Sequence, residues 1–163
     1  MPHTPPRPWS DFTAEAPELA TAVAARLEAH RHHVLATLRA DGAPRLWGTE
    51  VRVVDGLLLF GAMPGTRRAD DLRRDPRCAL HANPGDGSME GGDAKLTGVA
   101  LEVTDADLRT RFTAAAGGDP GVPFDLFAID LGTVTLTSVH PDGDRLVLHT
   151  WDAGSGERVV DRR

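Results

Sequence analysis

Residues Gly61–Leu80, GAMPGTRRADDLRRDPRCAL, run from the end of an apolar stretch through a tight turn into an arginine-rich segment and out into a second apolar stretch. Pro64-Gly65 supplies the turn, and Thr66-Arg67-Arg68 opens a short helix predicted over Thr66–Arg74. Asp75-Pro76 ends it, because the proline ring excludes helical geometry at the residue before it. A helix start presents unpaired N–H groups and a partial positive charge, which Thr66 can supplement with a hydroxyl and Arg67 and Arg68 with guanidinium forks. Such a cradle suits a phosphate. The same spacing lets Arg67, Arg68, Arg73 and Arg74 pair with Asp70 and Asp71 at i, i+3 and i+4 on a solvated helix, and the residues alone leave both readings open.

Upstream, His33–Arg39, Pro44–Val54 and Leu57–Gly61 are rich in β-branched and aliphatic residues. Asp41-Gly42 and Asp55-Gly56 fall between them as hairpin turns, which predicts a three-stranded antiparallel meander. Before it, Pro17–His30 reads as a helix whose Leu19, Val23 and Leu27 form one buried stripe. Residues 1–11 are proline-rich and read as an extended arm, leaving 12–163 as one domain.

Downstream, Arg77–Ala82 returns as a strand, Asn83–Asp93 reads as a glycine-rich mobile loop, and Lys95–Val103 is the next strand. Thr104 with Asp107 predicts a helix start, and Gly117-Gly118 its end. Leu126–Val139 and Arg145–Trp151 are strands joined through Pro141–Asp144. The expectation is a mainly β protein with flanking helices: six or seven antiparallel strands in a small closed or nearly closed barrel, with two substantial helices.

Composition narrows the function. A net charge of −6 argues against a dedicated nucleic-acid binder, so any anion site must be local. No apolar run approaches the roughly 18 residues of a membrane span. The lone Cys78 excludes a disulfide framework and multi-cysteine metal sites and makes a reducing cytoplasm the expected compartment. The opening MPHTPPRPWSDF lacks the apolar core of a signal peptide. No GxGxxG loop, P-loop or Ser-His-Asp arrangement appears, and no catalytic side chain or metal site is expected.

The order of hairpin strands followed by LLLFGAMPGTRRADDLRRDPRCALHA, residues 57–82, resembles the pyridoxamine 5′-phosphate oxidase-like split barrels that bind FMN or a deazaflavin. The likeness rests on Thr66-Arg67-Arg68, Leu72, Asp75-Pro76 and Cys78-Ala79-Leu80, in that order. It implies a homodimer with the flavin ring in a cleft between subunits and the phosphate on Thr66, Arg67 and Arg68. It also implies Trp47, Gly48 and Thr49 near the ring, with Gly61, Ala62 and Met63 at the end of the strand leading to the phosphate grip. Gly48 would let backbone approach a flat ring; otherwise it marks a β-bulge or barrel corner. Lys95, beside the flexible loop, is a candidate to stabilise a reduced ring, or a surface lysine paired with Asp93.

The resemblance stops at the substrate. Pyridoxamine phosphate oxidases carry a lysine near Thr49 or Glu50 and an Arg/His pair near the C-terminus, whereas Arg158–Arg162 contains no histidine. The implied function is an FMN-dependent oxidoreductase acting on a small molecule. One alternative is a reductase using the deazaflavin coenzyme F-420, whose acidic tail would meet Arg67, Arg68, Arg73, Arg74 and Arg77. Another is a non-catalytic or cofactor-free barrel. His30, His32 and His33 suit the negative end of the preceding helix, and Cys78 reads as an inert small hydrophobe.

Overall fold

The computed structural model describes residues 7–119 and 121–162. Within them the chain forms four helices, α1 (Trp9–Glu15), α2 (Pro17–Ala29), α3 (Arg67–Arg74) and α4 (Ala106–Ala116). The nine strands are β1 (His33–Leu38), β2 (Pro44–Thr49), β3 (Arg52–Val54), β4 (Leu57–Ala62), β5 (Arg77–His81), β6 (Asp93–Glu102), β7 (Asp125–Val139), β8 (Leu146–Asp152) and β9 (Gly156–Arg162). All pairings are antiparallel, in the order β2-β1-β5-β6-β7-β4-β3, with β8 and β9 continuing from the far half of β7. This is the expected split-barrel class, with more strands than the pattern predicted.

The extra strands have local causes. The single strand expected over 44–54 breaks at Glu50-Val51, because β2 pairs with β1 at one end of the hydrogen-bonded order while β3 pairs with β4 at the other. The chain crosses the split of the barrel at that break. The polar stretch of β9 shows no alternation in sequence, since it is an edge strand held by β8 alone and mostly exposed. Helix α1 lies across the expected boundary between arm and domain. Its Trp9 and Phe12 are buried, Phe12 meets Trp151 at 5.2 Å between ring centroids, and Trp151 Nε1 donates to Glu15 Oε2 at 2.9 Å. Residues 1–6 of the arm lie outside the described residues.

The turns follow their residues. Asp55 and Gly56 both have positive φ, 52° and 74°, the geometry of a type I′ hairpin turn between β3 and β4. Helix α4 is capped one residue later than predicted: Asp105, rather than Thr104, accepts from Leu108 N at 2.7 Å. Gly117 ends it at φ 65°. Gly98 admits no side chain where β6 meets the bulge at Gly132 of β7, since a Cβ there would lie 2.0 Å from the carbonyl oxygen of Asp130.

One core, built around Leu19, Val23 and Leu27 of α2 with Leu35, Phe60, Phe127 and Trp151, fills the barrel. Each fully buried side chain of this size contributes about 1.5–3 kcal/mol relative to exposure. A second cluster under α4 contains Leu59, Leu108, Phe112 and Leu126. Loop 83–92 is tied to α2 by Arg26, which donates to the carbonyls of Glu90 at 2.9 Å and Asn83 at 3.4 Å. No helix among the described residues is long and apolar enough to cross a membrane.

His33, at the start of β1, is buried, and its Nδ1 accepts from the backbone N–H of Asn83 at 3.1 Å. Burial pushes its pKa below 6.5, helped by the positive charge of Arg52 and against the pull of the Leu27 carbonyl. Below 6.5 the unfolded chain therefore binds a proton that the folded chain refuses, so this residue's contribution to stability is lost as pH falls. Replacing it by glutamine, His33→Gln, is expected to flatten the denaturant-midpoint profile just below pH 6.5, measured by urea unfolding across that range. An unchanged slope would assign the acid sensitivity to other groups.

Candidate functional site

Helix α3 begins without a side-chain cap. Thr66 precedes it in extended geometry, and its hydroxyl, although buried, has no hydrogen-bond partner. Two residues on, Arg68 is half-buried. Its Nη1 and Nη2 donate to the carbonyls of Gly48 (3.3 Å) and Gly61 (3.4 Å), while its buried Nε has no partner. Burial lowers the Arg68 pKa from its usual value. Gly48 sits on the terminal strand β2 and Gly61 on the part of β4 beyond the reach of β3, so Arg68 bridges the split in the barrel. Arg67 is exposed and has no hydrogen-bond or ion-pair partner among the described residues.

The other arginines behave differently. Arg73 is held by Glu102, with Nε to Oε2 at 2.9 Å, and by Asp125 at 3.1 Å. Arg74 binds Asp71 at 3.1 Å and the Leu38 carbonyl, and Arg77 binds Asp75 at 2.6 Å. The helical pairing read from spacing thus describes Arg74 with Asp71 and, loosely at 4.0 Å, Arg73 with Asp70. It does not describe Arg67 or Arg68.

Asp71 fixes this helix against the sheet. Only 3% exposed, it accepts from Arg45 Nε at 2.7 Å, Thr37 Oγ1 at 3.2 Å and Arg74 Nη2 at 3.1 Å. Burial alone would raise its pKa, but those three bonds and the charge of Arg45 outweigh it and hold the carboxyl below the usual range. Trp47 Nε1 donates to the same Thr37 hydroxyl at 3.0 Å, and the guanidinium carbons of Arg45 and Arg68 each stand 5.6 Å from the Trp47 ring centroid. Trp47 is therefore a support beneath Arg68, packed against the core.

Arg68 opens onto a concavity of about 330 Å³. Gly48, Thr49 and Glu50 at the end of β2, Gly61 of β4, and Phe112 of α4 form much of its wall. Four of the residues expected from sequence, Gly48, Thr49, Gly61 and Arg68, meet there. Gly48 is no bulge, since it pairs in register with Val34, and a Cβ on it would meet nothing within 4 Å. Ala62 is buried in the core, and Met63 is 74% exposed. Lys95 lies on the cross-strand row Gly48-Val34-His81-Lys95, three strands and about 14 Å from Gly48, exposed and not paired with Asp93 among the described residues.

Sequence reasoning missed Glu50, Arg52, His32, Phe112 and Ala116, which also border the concavity. Glu50 pairs with Arg31 at 2.9 Å and lies 3.5 Å from His32 Nε2. Phe112 lies on the buried face of α4, and which hollow it walls depends on where α4 docks.

Comparison with known proteins agrees with this architecture. The profile of the family described as pyridoxamine 5′-phosphate oxidase matches residues 19–138. No curated protein is significantly similar in sequence. Among solved structures, a pyridoxamine 5′-phosphate oxidase-related, FMN-binding protein from Nostoc punctiforme superposes with a TM-score of 0.64 at 14% identity, covering 91% of this chain and 96% of that one. PhzG from Burkholderia lata, solved with tetrahydrophenazine-1-carboxylic acid, gives 0.60 at 16% identity, covering 96% and 93%. General Stress Protein 26 from Bacillus anthracis gives 0.57 at 18% identity, covering 70% and 89%.

Removing the carboxylate at the root of this arrangement, Asp71→Asn, should leave Arg45 without its buried counter-charge and cost about 3 kcal/mol. Chemical denaturation checks this, and a loss under 1 kcal/mol would show that α3 is held by packing alone.

Proposed function

This chain belongs to the pyridoxamine 5′-phosphate oxidase family, and on that premise we propose that it is an FMN-dependent oxidoreductase acting on a small molecule, with the cofactor bound at a homodimer cleft. The observation that carries the reading is the pair of buried, partnerless polar atoms, Thr66 Oγ1 and Arg68 Nε, at the uncapped start of α3. Leaving such atoms unsatisfied costs about 1–3 kcal/mol each, and a phosphate would satisfy both together with the free N–H groups of the first turn. Arg67, uncommitted and adjacent, supplies a further charge.

The bound flavin would supply the hydride chemistry. The chain's own part is to bind, orient and exclude water. Arg68, braced by two carbonyls and the Trp47 ring, marks the junction of phosphate cradle and concavity. Gly48 leaves its strand surface open to a flat ring, and Phe112 walls the far side. A hollow of about 330 Å³ is shallow for a whole flavin, which agrees with a second copy completing the cleft. Val34 and Leu46, 40% and 69% exposed on β1 and β2, offer apolar surface for it. Lys95 enters this reading only as a residue offered across the dimer face.

Coenzyme F-420 is the weaker reading. Its acidic tail needs a positive groove, and three of the five arginines that would form one, Arg73, Arg74 and Arg77, are engaged by carboxylates. A cofactor-free barrel would gain nothing from the two partnerless atoms.

Visible absorption of the purified protein tests the reading: two flavin bands are expected, a single shorter-wavelength band would indicate the deazaflavin, and a colourless protein whose melting point neither cofactor raises would indicate a non-catalytic module. Because Arg68 also bridges the barrel, the informative variant is Thr66→Val with Arg67→Ala. It should weaken FMN binding about 100-fold, equivalent to about 3 kcal/mol, while the flavin-free protein becomes slightly more stable. Unchanged affinity would place the phosphate elsewhere.

A further inference from the structure

A second hollow, of about 410 Å³, lies between the C-terminal turn of α2 and the edge strand β3. Its floor is aliphatic throughout: Leu27, Val51 and Leu58 are buried there, with Ala24 and the exposed Val53 beside them. Arg52 lines it and also borders the concavity next to Arg68, so the two hollows share this residue. The polar partner of Arg52 is the backbone carbonyl of Val51, accepting from Nη1 at 2.8 Å, and no carboxylate pairs with it among the described residues. Arg31, in the same lining, is by contrast neutralised by Glu50 at 2.9 Å. Glu28 and His30, both exposed, also line it.

From this we infer that the hollow is a binding subsite for a small aliphatic carboxylate. Its chain would lie on Leu27, Val51 and Leu58, and its carboxylate would point to Arg52. With no Phe, Trp or Tyr in its lining, the hollow favours an aliphatic body over a planar one. The exposed carboxylate of Glu28 repels an anion, whereas Arg52 attracts one, so the charges of the lining orient the ligand's carboxylate toward Arg52. Arginine is the side chain that matches a carboxylate with two parallel hydrogen bonds, and with Nη1 on the Val51 carbonyl the Nε–Nη2 edge of Arg52 is left to make them. Occupancy of this subsite would put an organic acid against the hollow assigned above to the flavin. Its role as substrate rests on that reading, but its binding does not.

The test is a titration of the intact protein with hexanoate and, as neutral control, hexanamide, followed through the methyl NMR signals of Leu27, Val51 and Leu58. Hexanoate should shift those methyls and bind at least tenfold more tightly than hexanamide. Arg52→Gln should abolish the preference, and Val53→Trp should block both ligands with Arg52 intact. Equal affinity for the two ligands, shifts confined to other methyls, or unaltered binding by Val53→Trp would each overturn the assignment, and the comparison of ligands on the parent protein stands even if a variant fails to fold. Run with and without added FMN, the titration separates the two ideas. A protein that takes hexanoate but no FMN keeps the subsite and loses the flavin reading; one that retains FMN and ignores hexanoate loses the subsite alone.

Discussion

Asp71 is a charged group that the barrel buries and must therefore compensate. Its carboxylate draws Arg45 from β2, Thr37 from β1 and Arg74 from its own helix, and through Thr37 it also orients Trp47. A buried carboxylate tolerates little displacement of its partners, because any one lost bond leaves charge in a poorly solvated place. The consequence is positional. Helix α3, only eight residues long and weak as an isolated helix, has a defined height and rotation on the sheet.

That placement decides what the first turn of α3 can do. With Asp71 turned inward, Arg68, three residues earlier, lies alongside Trp47 and reaches the carbonyls of Gly48 and Gly61 across the split between β2 and β4. The Thr66 hydroxyl and the nitrogen Nε of Arg68 are buried and have no protein partner. Buried polar atoms of this kind are ordinarily satisfied by protein, water or a bound group, and here the protein supplies no partner. The same split forces the chain out of β2 at Glu50-Val51, and that detour sets Arg52 in the lining of both hollows.

Much of the fold was legible from the sequence because hairpins announce themselves locally. Asp55-Gly56 adopts the two positive φ values its residues favour, and Leu19, Val23 and Leu27 lie on the buried face their spacing required. Elements without a local signal escaped. The α1 helix hides among prolines and is held by distant Trp151, and β9 is an edge strand defined by its partner β8. Of the residues the sequence singled out, Gly48, Thr49, Gly61 and Arg68 line one hollow, whereas Lys95 lies three strands away.

Taken alone, the sequence determined the class of the fold, the position of its turns and the stretch, Thr66 to Arg68, where an anion could sit. Those features depend on residues within a few positions of one another. It left undecided which arginines were free, since that depends on whether a carboxylate arrives from elsewhere in the chain. Glu102 and Asp125 come from β6 and β7 to occupy Arg73, and among the described residues none comes for Arg67, Arg68 or Arg52. Charge pairing across a barrel is set by strand order, and strand order is a tertiary property.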